Sequence, residues 1–93
     1  MSEIVFCQAD GKYTNFLLIN GKKIMSSKNL GEYSALLDPN YFFRIHHSSI
    51  INIRHISKIS KKDGYFCELS NGITLTVAKR RQENFNKFIK LKE

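Results

Sequence analysis

Cysteine is scarce in this 93-residue sequence. There are two, Cys7 and Cys67, far apart and set in apolar, strand-like segments. No disulfide framework is indicated, and both are expected to be reduced, buried small hydrophobes, as in a cytoplasmic protein. No apolar run approaches the ~20 residues that span a bilayer, so no membrane partner is expected. The opening Met1-Ser2-Glu3-Ile4 has neither the basic nor the apolar region of a signal peptide. Glycine motifs that cradle phosphates (G-x-x-x-x-G-K, G-x-G-x-x-G) are absent, so nucleotide binding has no support. No repeat, linker or low-complexity segment divides the chain. Its length admits one domain, residues 1–93, too small for a Rossmann domain, a TIM barrel or a kinase.

Catalytic constellations are missing as well. Ser48 and Ser49 stand beside His46 and His47, which supplies a nucleophile and a base by type. No nucleophile elbow or glycine-rich oxyanion loop surrounds them, and the acids are scattered. No enzymatic activity and no cofactor are expected. His46, His47 and His55 are the three histidines, but neighbours on an extended strand point to opposite faces and rarely reach one ion. One of the pair is expected to face inward and hydrogen-bonded, the other outward, with no metal.

Acidic residues are also few: 8 Asp+Glu against 15 Lys+Arg, a net charge of +7. The excess is uneven. Residues 1–43 carry four lysines and four acids, for a net of zero, and residues 44–93 hold the whole +7. Such asymmetry suggests a basic binding face rather than general solubility, with nucleic acid as the first partner to consider.

What the sequence does have is turns. Four of the five glycines follow Asp or Asn: Asp10-Gly11, Asn20-Gly21, Asp63-Gly64 and Asn71-Gly72. Such pairs tolerate the positive φ of tight hairpins and predict a β-rich domain. Strands are expected at Ile4–Gln8, Tyr13–Ile19, Lys22–Met25, Ile56–Ser60, Tyr65–Leu69 and Ile73–Val77. The last two alternate, with Tyr65, Cys67 and Leu69 on one face. Asn29–Leu37 reads as a short helix, capped by Asn29 with Glu32 as reciprocal partner and stopped by Pro39. Lys79–Lys92 reads as a second helix that docks through Phe85, Phe88 and Ile89. The segment from Tyr41 to Ile56 fits neither period throughout and is read as two extended pieces joined at His47-Ser48-Ser49.

Basic residues gather where turns and element ends can present them: His47, Arg54 and His55, then Lys58, Lys61 and Lys62, then Lys79-Arg80-Arg81. Three cations at a helix N-terminus oppose the helix dipole, which fits a functional demand for positive charge. No helix-turn-helix, zinc-finger ligand set or RNP sequence is present, so a reader of this kind would use loops and turns.

Four stretches then resemble the LytTR domain, the mostly-β DNA-binding domain of one class of bacterial response regulators. Gln8-Ala9-Asp10-Gly11-Lys12-Tyr13-Thr14 is similar to the family's "EADGNYT", and Ser27-Lys28-Asn29-Leu30 to its "SKTL". The run from Phe42 to Asn52 (FFRIHHSSIIN) resembles the central "FFRIHRSYLVN", and Val77-Ala78-Lys79-Arg80-Arg81 the closing "VSRRR". Order and spacing are kept over nearly the whole chain.

The resemblance implies a mainly β fold: an elongated arrangement of small antiparallel β-sheets with one short internal helix and a C-terminal helix. It also implies that loops contact double-stranded DNA in successive major grooves and that the duplex is bent. By position, His47, Ser48 and Asn52 fall in the DNA-facing part of the central motif, and Lys79 and Arg80 in the closing one. Lys12, Tyr13, Asn15 and Lys28 are further DNA-binding candidates, whereas Phe42, Phe43, Arg44 and His46 look like scaffold. Two departures bear on base preference: His47 stands where the motif has Arg, and Lys79 where it has Arg, which loses a bidentate fork. The family context implies a transcriptional regulator, a homodimer on paired operator repeats, and a receiver domain in a longer parent chain. The competing reading is a small β-rich protein-interaction module without DNA binding.

Overall fold

The computed structural model describes residues 3–91. The hairpin signals are realised at the glycines. β1 (Ile4–Asp10) turns at Gly11 into β2 (Tyr13–Leu18), which turns at Gly21 into β3 (Lys23–Ser26), all antiparallel. Gly64 is the most demanding position. Its φ is +133°, and a Cβ there would stand 2.7 Å from the Phe66 ring, so a side chain would be strained and would have to displace that ring.

Helix α1 (Leu30–Leu36) begins where the sequence places it. The Asn29 side chain accepts from the Glu32 N–H at 2.9 Å, and the Glu32 carboxylate accepts from the Asn29 N–H at 3.0 Å. This capping box satisfies two of the N–H groups a helix start leaves open. β4 (Phe42–His46) and β5 (Ser49–Asn52) are the two extended pieces of the irregular segment, joined by His47-Ser48. A 3-10 turn over Ile53–His55, which the sequence did not announce, leads into β6 (Ile56–Ser60), β7 (Phe66–Leu69) and β8 (Thr74–Thr76).

The C-terminal helix needs a correction. A 3-10 turn occupies Lys79–Arg81, and α2 runs over Gln82–Lys90, one turn later than the sequence spacing implies. The cause is tertiary. The Ala78 N–H donates to the Ile45 carbonyl at 2.7 Å, and the Arg81 N–H to the Ala78 carbonyl at 2.9 Å. The chain therefore stays extended through Ala78 and turns tightly before the helix. The three cations precede the α-helix rather than fill its first turn, which eases the dipole conflict because that field falls off within one turn. Lys92, the last residue of the expected helix, lies outside the described residues.

Two antiparallel sheets result, one of five strands in the order β3-β2-β1-β5-β4 and one of three in the order β6-β7-β8. Period-two alternation buries both faces of the larger sheet. Cys7, Phe16, Phe42 and Ile50 pack with Leu30 and Leu37 of the α1 region. Phe6, Leu17 and Ile51 pack with Tyr65, Cys67, Leu69, Val77 and Phe85 of the smaller sheet and α2. Both cysteines are free and sealed in these cores, where burial pushes the thiols up to about 12 for Cys7 and about 11 for Cys67. The elongation is slight, with principal extents of 34 × 26 × 24 Å. Among the described residues no helix is long and apolar enough to cross a membrane.

Candidate nucleic-acid interface

Antiparallel pairing decides which turns meet. β1 ends where β2 begins, and Gln8 lies opposite Ser49, so β5 starts beside the end of β1. His46 opposite Ser49 brings in the end of β4, and Thr14 opposite Ser26 the end of β3. Two hydrogen bonds tie these turns together. The Ala9 N–H donates to the Ser48 carbonyl at 2.9 Å, and the buried Thr14 hydroxyl donates to the Lys28 carbonyl at 2.9 Å. The Ala78–Ile45 bond adds the 3-10 turn of Lys79–Arg81 to the same end.

One end of the five-stranded sheet therefore gathers eight of the nine candidates read from the sequence. Lys12, Lys28, His47, Lys79 and Arg80 are exposed, and Tyr13 is 48% exposed despite its size. Ser48 is half-buried. Asn15 lies one step in from the turn, also half-buried, its amide donating to the Asp10 carboxylate at 3.4 Å. None of Lys12, Lys28, Lys79 and Arg80 ion-pairs with a carboxylate among the described residues.

The turn at His47 is built from its neighbours. His46 is half-buried, and its Nδ1 accepts from the Ser48 N–H at 3.2 Å and pairs with the Ser48 hydroxyl at 2.8 Å. An accepting Nδ1 leaves the proton of the neutral ring on Nε2. The His46 and His47 rings lie tilted against each other, at 36°, with centroids 4.4 Å apart. Behind them, Arg44 donates through Nε to the His46 carbonyl at 3.3 Å and through Nη2 to the His47 carbonyl. Arg81 donates through Nη1 to the Arg44 carbonyl at 3.4 Å. Burial, then Arg80 and Arg44, hold the Arg81 pKa below its ordinary value. Three guanidiniums thus lie near one another behind the turn.

Asn52 is the exception. It closes β5 at the opposite end of the sheet and is 1% exposed. Its amide donates to the Ile4 carbonyl at 2.9 Å and its carbonyl oxygen accepts from the Arg54 N–H at 3.0 Å, capping the 3-10 turn. The side chain expected to face DNA is thus enclosed and hydrogen-bonded within the domain. Arg54 is also at this far end, its guanidinium 4.0 Å over the Tyr41 ring. Asn52→Ala is expected to destabilise the domain by about 1–3 kcal/mol, the penalty for stranding buried backbone partners. Thermal unfolding checks this, and binding by the folded fraction should be unaltered.

Sequence reading treats Arg44 as scaffold and misses its grip on the turn. An Arg two residues ahead of a polar turn is the available signal, but its direction is not legible.

The family model for the LytTr DNA-binding domain matches residues 1–90, with the gathered turns inside the match. The chain belongs to the LytTR family. That family is one of DNA-binding domains, not a class of enzymes. The chain is 34% identical over 71 residues to the transcriptional regulatory protein LytR of Staphylococcus aureus, a stretch covering 74% of this chain and 29% of that protein. It is 30% identical over 67 residues to an uncharacterized response regulatory protein of Vibrio cholerae, covering 69% and 26%. The LytTR chain thus spans less than a third of the length of these curated relatives. In fold it is similar to a solved LytTr DNA-binding domain of a Bacillus cereus response regulator, with a TM-score of 0.87 and 24% identity over 95% of this chain and 82% of that one.

Proposed function

We propose that this LytTR domain reads double-stranded DNA with the turn-bearing end of its larger sheet, as the output domain of a cytoplasmic transcriptional regulator. The observation that carries the reading is convergence. Turns distant in sequence meet at one end, and the exposed cations they carry lack carboxylate partners among the described residues. A body of 34 × 26 × 24 Å is comparable in length with one helical repeat of B-DNA, about 34 Å.

The roles divide by chemistry. Lys12, Lys28 and Arg80 are long, exposed cations suited to phosphates, and they set affinity and register. His47 and Ser48 stand on the central turn with short polar groups suited to base edges. Lys79, beside Arg80, offers a point charge suited to a phosphate, where a guanidinium would instead fork onto guanine. Tyr13 presents a ring and a hydroxyl to the groove wall, and Asn15 an amide already steered by Asp10. A receiver domain in a longer parent chain and pairing of two copies on repeated operators belong to the same proposal; for the first, the matched stretch covers less than a third of relatives named as regulatory proteins.

Selection of bound duplexes from a random pool tests the reading. A recovered motif is expected, and His47→Ala should relax it at one or two positions while leaving the others. A pool that stays random after selection sinks the proposal.

A further inference from the structure

The central turn presents a physical difficulty. The carbonyls of His46 and His47 lie within the turn that would meet an anionic duplex. Open carbonyl oxygens there would repel phosphates and leave a two-residue turn free to rearrange. Arg44 answers both problems by donating to both oxygens with one planar group. The strand prepares the position. Register shifts between Arg44 and His46, and the carbonyl of the intervening Ile45 is taken by Ala78 from the closing segment. The backbone of Arg44 is in turn held by the Arg81 guanidinium.

Arg81 sits at a cost. Its Nε is buried with no hydrogen-bond partner, and two other guanidiniums lie close by. An orphaned buried donor among like charges is unfavourable and uncommon in folded proteins. Such a group persists where the surrounding structure imposes it, and sites of function are where this concentrates.

We propose that Arg44 is a positioning residue for sequence reading, and that Arg81 links it to the closing segment. The route runs from Arg81 to the Arg44 backbone, and from the Arg44 side chain to the His47 turn. It couples the two DNA-facing segments, so the turn is held in its reading shape before DNA arrives. Arg44 then acts on base preference through His47 and Ser48, without itself neutralising a phosphate. This inference rests on the DNA-binding reading above.

Substitutions at Arg44 separate the roles. Arg44→Lys keeps the charge and loses the fork; Arg44→Met loses both. Binding is measured against the selected duplex and a scrambled duplex of equal length, over a series of salt concentrations, with folding checked by thermal unfolding. Both variants are expected to lose about tenfold or more on the selected duplex, the scale of one lost bidentate contact. Affinity for the scrambled duplex and the salt slope should hold. A fall in slope of about 0.9 with Arg44→Met would mean a direct phosphate contact and overturn the proposal. Unchanged preference for the selected duplex would make Arg44 merely structural and overturn it equally.

A double-mutant cycle tests the route. With His47→Ala already made, Arg44→Lys should cost less further discrimination than it does in the parent, because both act on one turn. Additive losses contradict the route. Should the Arg44 variants fail to fold, Arg81→Gln carries the same comparison, since it leaves the fork in place and releases the backbone behind it. If the parent protein does not prefer the selected duplex, the DNA-binding reading itself has failed, which is a distinct result.

Discussion

Replacing Lys79 and Arg80 together by alanine should remove about two units from the slope of log affinity against log salt. Each phosphate neutralised contributes about 0.9 to that slope. Between 50 and 200 mM salt, the parent should therefore lose roughly twelvefold more affinity than the double variant does. The expectation follows from the placement of both residues. They are exposed on a 3-10 turn tied to β4 by the Ala78–Ile45 bond, and neither has a carboxylate partner among the described residues. No folded-state ion pair is lost, so stability should change by less than about 0.5 kcal/mol. Fluorescence anisotropy with labelled duplexes measures the slope. A double variant with the parent's slope would remove the closing turn from the interface.

The second large effect is structural. Phe85 is fully buried, with its ring centroid 5.2 Å from that of Phe43 and 5.8 Å from that of Tyr65. It docks α2 against the β4 face of the larger sheet and against Tyr65, which leads into β7. Phe85→Ala should cost about 3–5 kcal/mol, from lost burial and a cavity that rigid sheets do not close. Domains of this size hold only about 5–15 kcal/mol in total. The melting temperature should fall by at least about 12 °C. DNA affinity should fall with it, because Lys79 and Arg80 lie just ahead of the helix that Phe85 anchors. Circular dichroism melting checks the first claim, and a fall under about 4 °C would show that α2 is only loosely docked.

The legible parts of this fold were the local ones. Asp-Gly and Asn-Gly pairs marked the hairpins because a positive φ is a property of the residue itself. Asn29 and Glu32 marked α1 because a capping box closes within four residues. Alternation placed Tyr65, Cys67 and Leu69 on one buried face because the strand period is two.

Illegible features were those settled by distant partners. The start of α2 moved because Ala78 is bonded to Ile45, 33 positions earlier. Asn52 went inside because its amide meets the Ile4 carbonyl, 48 positions away. In sequence it looks like any polar residue at a strand end. Sheet order was also hidden, since β1 lies between β2 and the distant β5. The candidate site is a different case. Nine candidates follow from the resemblance and its neighbouring residues; strand pairing and the Thr14–Lys28 and Ala78–Ile45 hydrogen bonds bring eight of them to one end, and Asn52 lies at the other. Their shared location is information that the motifs alone do not contain.

That shared location can be tested at residue level. Backbone amide shifts of the labelled protein, followed while a selected duplex is added, should move at Gly11–Tyr13, Lys28, His46–Ser48 and Ala78–Arg81. Asn52, Arg54 and the Asn71-Gly72 turn should stay still. Shifts centred on Asn52 and Arg54, or spread evenly over the surface, would contradict an interface built from the turns of the larger sheet.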